Sequence, residues 1–166
     1  MLKQVYVTYG SKEILKNITA EFPDHKFVTL APNGADTSNL QLLDITGTDN
    51  IFKSGVGYDV KNSCGDINWH GFFNYNYLTI YPEYLNLFER RINSWFSGPK
   101  ADGLSAVYLL KRSQSDNNNY VVLTVWNGPQ YYQRWKADDS YFFAPYANIT
   151  THNFHESNYE FRNITG

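Results

Sequence analysis

Near the start of the chain, apolar positions first alternate with polar ones, then recur at helical spacing, then cluster in short runs. Gln4 to Tyr9 (QVYVTY) is β-branched and aromatic and predicts a strand that Gly10 ends. Ser11 can cap a helix in which Ile14, Ile18 and Phe22 recur every four residues, and Pro23 stops it. His25 to Leu30 (HKFVTL) and Leu40 to Ile45 (LQLLDI) predict the next two strands, with Gly47, Gly55 and Gly57 in loops. Residues 50–70 show no clear period and suit a short helix and a connection. Within them Asn62 to Gly71 (NSCGDINWHG) reads as a boundary between two halves.

The pattern then restarts. Phe72 to Ile80 (FFNYNYLTI) predicts a strand whose Phe72, Asn74, Asn76, Leu78 and Ile80 share one face. Pro82 suits the first turn of a helix, and Leu85, Phe88, Ile92 and Trp95 give it one apolar stripe. Leu104 to Arg112 and Tyr120 to Trp126 (YVVLTVW) predict two antiparallel strands joined by the polar turn SQSDNNN. Asn127 and Pro129 suit the cap and first turn of a short helix carrying Trp135, and Asn153 to Ile164 holds a last strand. Both halves share the order strand, helix, strand, strand. That order predicts an α+β fold of two ferredoxin-like halves, 1–66 and 67–166, each an antiparallel sheet with helices on one face. Packing the bare faces together would bury them, within one chain as a monomeric pseudo-dimer or between two chains as a homodimer.

Composition narrows the function classes. The 166 residues are 42% hydrophobic and 17% aromatic, with 14 Tyr, 11 Phe and 4 Trp, which suits a packed core and pockets for planar ligands. A net charge of −2 leaves no basic footprint for nucleic acid. The single cysteine, Cys64, excludes an internal disulfide framework and a cysteine-rich zinc site. MLKQVYVTYG does not read as a signal peptide and no run approaches membrane-span length, so the expected location is the cytoplasm. No Gly-rich phosphate loop, Gly-x-Ser-x-Gly elbow or His-Glu-x-x-His pattern occurs.

YVVLTVW, a Pro-started helix ending in Arg134-Trp135, and DDSYFFAPY (138–146) together resemble the antibiotic-biosynthesis-monooxygenase superfamily of dimeric α+β barrels. Within it the chain looks most like the Gram-positive haem-degrading monooxygenases, and its start VYVTYG resembles the longer, staphylococcal TRAP-like subgroup with an added N-terminal half. The resemblance implies haem, or another small planar ligand, in an apolar pocket. It carries a catalytic Asn over to Asn76 and a Trp that presses on the cofactor to Trp135, and it sets Tyr141, Phe142 and Tyr146 beside the cofactor. Trp126 is read as structural. The family's iron-ligating His falls on Pro145, which binds no metal. Tyr146, next to it, could ligate iron as a phenolate, or a histidine could reach in from a shifted loop. His152 and His155 follow nearby but read as packing or surface residues. Three functions stay open: a haem-degrading monooxygenase, a non-catalytic ligand-binding or regulatory protein, and a cofactor-free monooxygenase acting on an aromatic substrate. A plain structural module is the default if no pocket exists.

Overall fold

The structure, a computed structural model, describes residues 2–33, 38–114, 118–147 and 150–164. Its elements run β1 (Gln4–Gly10), α1 (Lys12–Glu21), β2 (Phe27–Pro32), β3 (Leu40–Asp44), β4 (Val56–Gly65), β5 (Phe72–Thr79), α2 (Pro82–Ser97), β6 (Leu104–Arg112), β7 (Asn119–Trp126), α3 (Pro129–Lys136), α4 (Ala144–Ala147), a 3-10 turn (Thr150–His152) and β8 (His155–Phe161). The strands close into one barrel in the order β1-β3-β2-β8-β5-β7-β6-β4, with β4 pairing back onto β1. Each half contributes the ferredoxin-like order: β4-β1-β3-β2 from the first and β8-β5-β7-β6 from the second. Two seams, β2 with β8 and β4 with β6, join them. The α+β class and the paired antiparallel sheets are therefore as expected, and all eight strands come from one chain.

Alternation on the strands sorts the apolar residues into three cores. Val5, Val7, Leu30, Phe73, Tyr75 and Leu123 fill the barrel. Tyr6, Leu15, Leu42 and Phe52 form a second core beneath α1. Phe72, Leu78, Phe88, Ile92, Trp126 and Trp135 form a third between the C-terminal sheet and helices α2 and α3. Gly103, at φ +80°, ties the loop before β6 to α3, since a Cβ there would lie 2.1 Å from the Tyr131 ring.

Four local expectations are corrected. Residues 50–70 hold the ten-residue strand β4 and no helix. A bulge between Val60 and Asn62 breaks its alternation, and neither face is fully buried, so no period survives in the sequence. β2 starts at Phe27 and not at His25. There the His25 ring bonds Asp44 Oδ2 at 2.8 Å and Lys26 N donates to Thr46 Oγ1 at 2.8 Å, so the strand end keeps one backbone bond, Ile45 N to Lys26 O at 2.9 Å, and side chains supply the rest. In α1 the buried contact is Leu15, while Ile14 is 54% exposed. Ser11 does cap that helix, accepting from Ile14 N. The cap of α3 is Gly128, not Asn127, whose Oδ1 accepts from Asn68 Nδ2.

Candidate functional site

The face of β5 that looks toward α2 and α3 carries two asparagines among phenylalanine and leucine, and both are fully buried. Buried amides need partners, and a line of polar side chains across three strands supplies them. Trp126 Nε1 donates to Thr124 Oγ1 at 2.8 Å, and Thr124 Oγ1 donates to Asn74 Oδ1 at 2.8 Å. Asn76 Nδ2 donates to the same Asn74 oxygen at 2.6 Å and to Val122 O at 3.1 Å. Asn74 Nδ2 in turn donates to Asn158 Oδ1 at 2.8 Å on β8. Beside it Tyr132 OH donates to Glu156 Oε2 at 2.7 Å, and Glu156 pairs with Lys136. Burial, then the bond to Glu156 and its charge, pushes the Tyr132 phenol far above its usual range, so it stays a proton donor. Burial first, then the Glu156 charge, raises Tyr141 likewise.

One atom of this line has no partner. Asn76 Oδ1 is buried and unbonded, and His152 Nδ1 is the other such side-chain atom among the described residues. His152 is 5% exposed, with its ring edge-on to Tyr84 in the first turn of α2 and to Tyr146 in α4. Both orphaned atoms therefore border the aromatic layer between the C-terminal sheet and the helices.

That layer is continuous. Trp135 stacks on Trp95 at 5.6 Å and meets Trp126 at 5.2 Å and Tyr141 at 4.8 Å. Phe142 stacks on Trp95 at 4.5 Å and lies 5.9 Å from Tyr146. The Arg91 guanidinium sits over both the Phe142 and Tyr146 rings and donates to Phe142 O at 3.1 Å. From Tyr84, against His152, to Trp95, against Trp135, α2 rises about 16 Å, so the packed rings run most of the length of that helix.

The structure brings Trp135, Tyr141, Phe142 and Tyr146 into one cluster above the sheet face that holds Asn76. Trp135 does not contact Asn76. Its outer edge borders a surface depression of about 450 Å³ with Trp95, Lys100, Tyr131 and Arg134. Trp126 is fully buried and hydrogen-bonded. Pro145 lies exposed in α4, with no ligating atom to offer. His152, Asn74, Thr124, Trp95 and Phe143 join the site without having been singled out for it in the sequence. Asn74 had a legible signal, its alternation with Asn76 on a mostly apolar face. His152 had none.

The donor set suits haem: a lone buried imidazole nitrogen, a buried amide and a wall of flat rings. The space does not suit it in this packing, because Phe142 and the fully buried Phe143 fill the layer. A macrocycle enters only if the short segment carrying them moves out. Among the described residues no group of three or more His, Cys, Asp or Glu side chains is placed to hold a metal ion, and no helix is long and apolar enough to cross a membrane.

No family model matches the sequence. Solved structures do resemble it along its whole length. A ferredoxin-fold protein of Listeria monocytogenes related to antibiotic-biosynthesis monooxygenases superposes with a TM-score of 0.72 at 18% identity, covering 98% of this chain and 95% of its own. The haem-degrading enzyme of the same organism gives 0.70 at 19% identity, covering 96% and 100%. A major regulator of staphylococcal pathogenesis gives 0.77 at 16% identity, covering 97% and 100%. The fold is thus that of antibiotic-biosynthesis-monooxygenase-like proteins, as the sequence resemblance implied.

Proposed function

We propose that this chain is a haem-binding protein of the haem-degrading monooxygenase type, acting in the cytoplasm as a monomeric pseudo-dimer. Residues 67–166 carry the whole site. The observation that carries this reading is the pair of orphaned buried atoms, Asn76 Oδ1 and His152 Nδ1, at the edge of one aromatic layer. A buried polar atom left unbonded costs about 1–3 kcal/mol, a cost that a bound partner removes. His152 would hold the iron in place of the family position occupied by Pro145. Tyr146, beside it, is the second candidate ligand. Trp135 and Phe142 would press on the flat faces and edges of the ligand, with Tyr141 against Trp135. Asn76 would offer its unpartnered Oδ1 as a buried hydrogen-bond acceptor on the sheet face. Bound haem would supply the iron that, with a reductant and O₂, permits oxidative opening of the ring.

The test is a haem titration of the purified apo-protein followed by absorbance, then ascorbate in air with catalase present. A saturable Soret shift that H152A loses and Tyr146→Phe keeps is the expected result. Decay of the band after ascorbate marks an enzyme, and a stable band marks a binding protein without turnover. Absence of binding at micromolar haem would overturn the reading. The filled layer, with Pro145 at the ligand position, favours a second reading: a cofactor-free regulatory protein whose aromatics are core. That reading predicts no Soret shift at any haem concentration.

A further inference from the structure

A separate cavity of about 230 Å³ opens at one end of the barrel, where β5 and β6 end and β7 and β8 begin. Its walls include Tyr58, Tyr77, Arg112, Asn119, Asn153 and His155. At roughly 30 Å³ per water it holds the volume of about eight waters, and it is smaller than a drug-sized pocket.

The chemistry of the walls is one-sided. Among the described residues no aspartate or glutamate lines the cavity. Arg112 is exposed and makes no hydrogen bond or ion pair with another described residue. It stands directly across the β4–β6 seam from Tyr58. Thr79 Oγ1 donates to Asn119 Oδ1 at 2.9 Å, which fixes that amide and leaves its nitrogen as the outward donor. The phenols stay protonated, since burial pushes Tyr58 up to about 12 and Tyr77 higher still; the Tyr77 hydroxyl is already engaged with Tyr9, which leaves Tyr58 as the phenol donor. The His155 ring lies flat on Tyr77, with centroids 4.6 Å apart and planes within 10°. Asn153 holds φ at 47°, a left-handed conformation that non-glycine residues adopt at a cost, and such strain concentrates at binding sites. Val121, paired with Tyr77 and facing the barrel interior, supplies an apolar floor.

We infer that this barrel mouth binds a compact monocarboxylate with a flat apolar body, its carboxylate on the Arg112 guanidinium and its ring against Tyr58 and the stacked His155–Tyr77 pair. A guanidinium fork matches a carboxylate bidentately, and a ring of donors without acids rejects cations. The volume limits the body to about the size of one aromatic ring. The site is independent of the aromatic layer outside the sheet, so it stands or falls apart from haem binding.

The test uses 4-fluorobenzoate as the probe, followed by ¹⁹F NMR line broadening during titration of the full chain. Saturable binding is expected, weakened at least tenfold in Arg112→Gln and unchanged in Lys16→Gln, on the distant helix α1. The neutral analogue 4-fluorobenzamide should bind the wild type at least tenfold more weakly than 4-fluorobenzoate does. This arm needs no variant and keeps the proposal falsifiable if R112Q misfolds. Equal affinity of the acid and the amide, equal affinity of wild type and folded R112Q, or no saturable binding would each overturn the proposal.

Discussion

Replacing Asn76 by leucine removes a buried amide from a sheet face that is otherwise largely apolar, keeping the branching of the side chain but enlarging it, which in a fully buried site costs about 1–3 kcal/mol. The substitution relieves the unbonded Oδ1, worth about 1–3 kcal/mol. It also places an apolar side chain in a fully buried position, worth about 1.5–3 kcal/mol. Against this, two hydrogen bonds from Nδ2 are lost, at a net of about 0.5–1.5 kcal/mol each. Their acceptors are not stranded. Asn74 Oδ1 keeps the Thr124 hydroxyl, and Val122 lies in a strand paired on both sides. The terms nearly cancel, so Asn76→Leu should melt within about 3 °C of the wild-type apo-protein by calorimetry. The same variant should be impaired in haem binding or turnover, because it removes the Oδ1 acceptor. A melting temperature lowered by several degrees would refute the reasoning. It would mean that Oδ1 is bonded after all, and that the amide is a structural keystone rather than a vacancy awaiting a ligand.

Alkaline pH should destabilise the fold through its phenols. Burial pushes Tyr58 and Tyr159 up to about 12 from an ordinary 10.0, so the folded chain holds protons that the unfolded chain releases. Their stabilisation is complete below pH 10 and is lost as pH rises from 10 through about 12, so the urea midpoint should hold level from about pH 7 to 9 and fall above 10. Phenolate absorbance showing every tyrosine titrating near pH 10 with the fold intact would contradict this. Gly103→Ala should lower the melting temperature by roughly 4–8 °C, from about 2 kcal/mol of left-handed strain and the clash with Tyr131; an unchanged value would show that the loop before β6 yields freely.

The second half of the chain was more legible than the first, for a physical reason. β5 and β7 bury both faces and read as continuous apolar and aromatic runs, and α2 buries one stripe, so these elements stand out in the sequence. β4 buries neither face fully and changes register at its bulge, and it left no period to find. In α1 the evenly spaced Ile14, Ile18 and Phe22 suggested the wrong stripe, because so short a helix rests on the sheet chiefly through Leu15. At the site, Asn76 and Trp135 were named through the family resemblance; the residues alone show only a polar interruption of an apolar strand face at Asn76 and an ordinary packing aromatic at Trp135. His152 was invisible. Its burial depends on Tyr84 and Tyr146, which no periodic pattern links to it. The filling of the aromatic layer was equally hidden, since the sequence names the rings but not whether a ligand or Phe143 lies between them.

The last strand has a consequence for how the molecule is made. β8 alone bridges the two sheets on that side, with Tyr77 to Phe72 on one edge and Leu30 to Pro32 on the other. Until Phe161 has been synthesised, the growing chain carries two unpaired β edges, β2 and β5, for several seconds at ordinary translation rates. Those edges are templates for a neighbouring nascent chain. Messages that lose the final segment would therefore yield an open, adhesive sheet and not a slightly shorter barrel. The cell's clearance of such products would then depend on chaperones reaching the open edge before a second copy does.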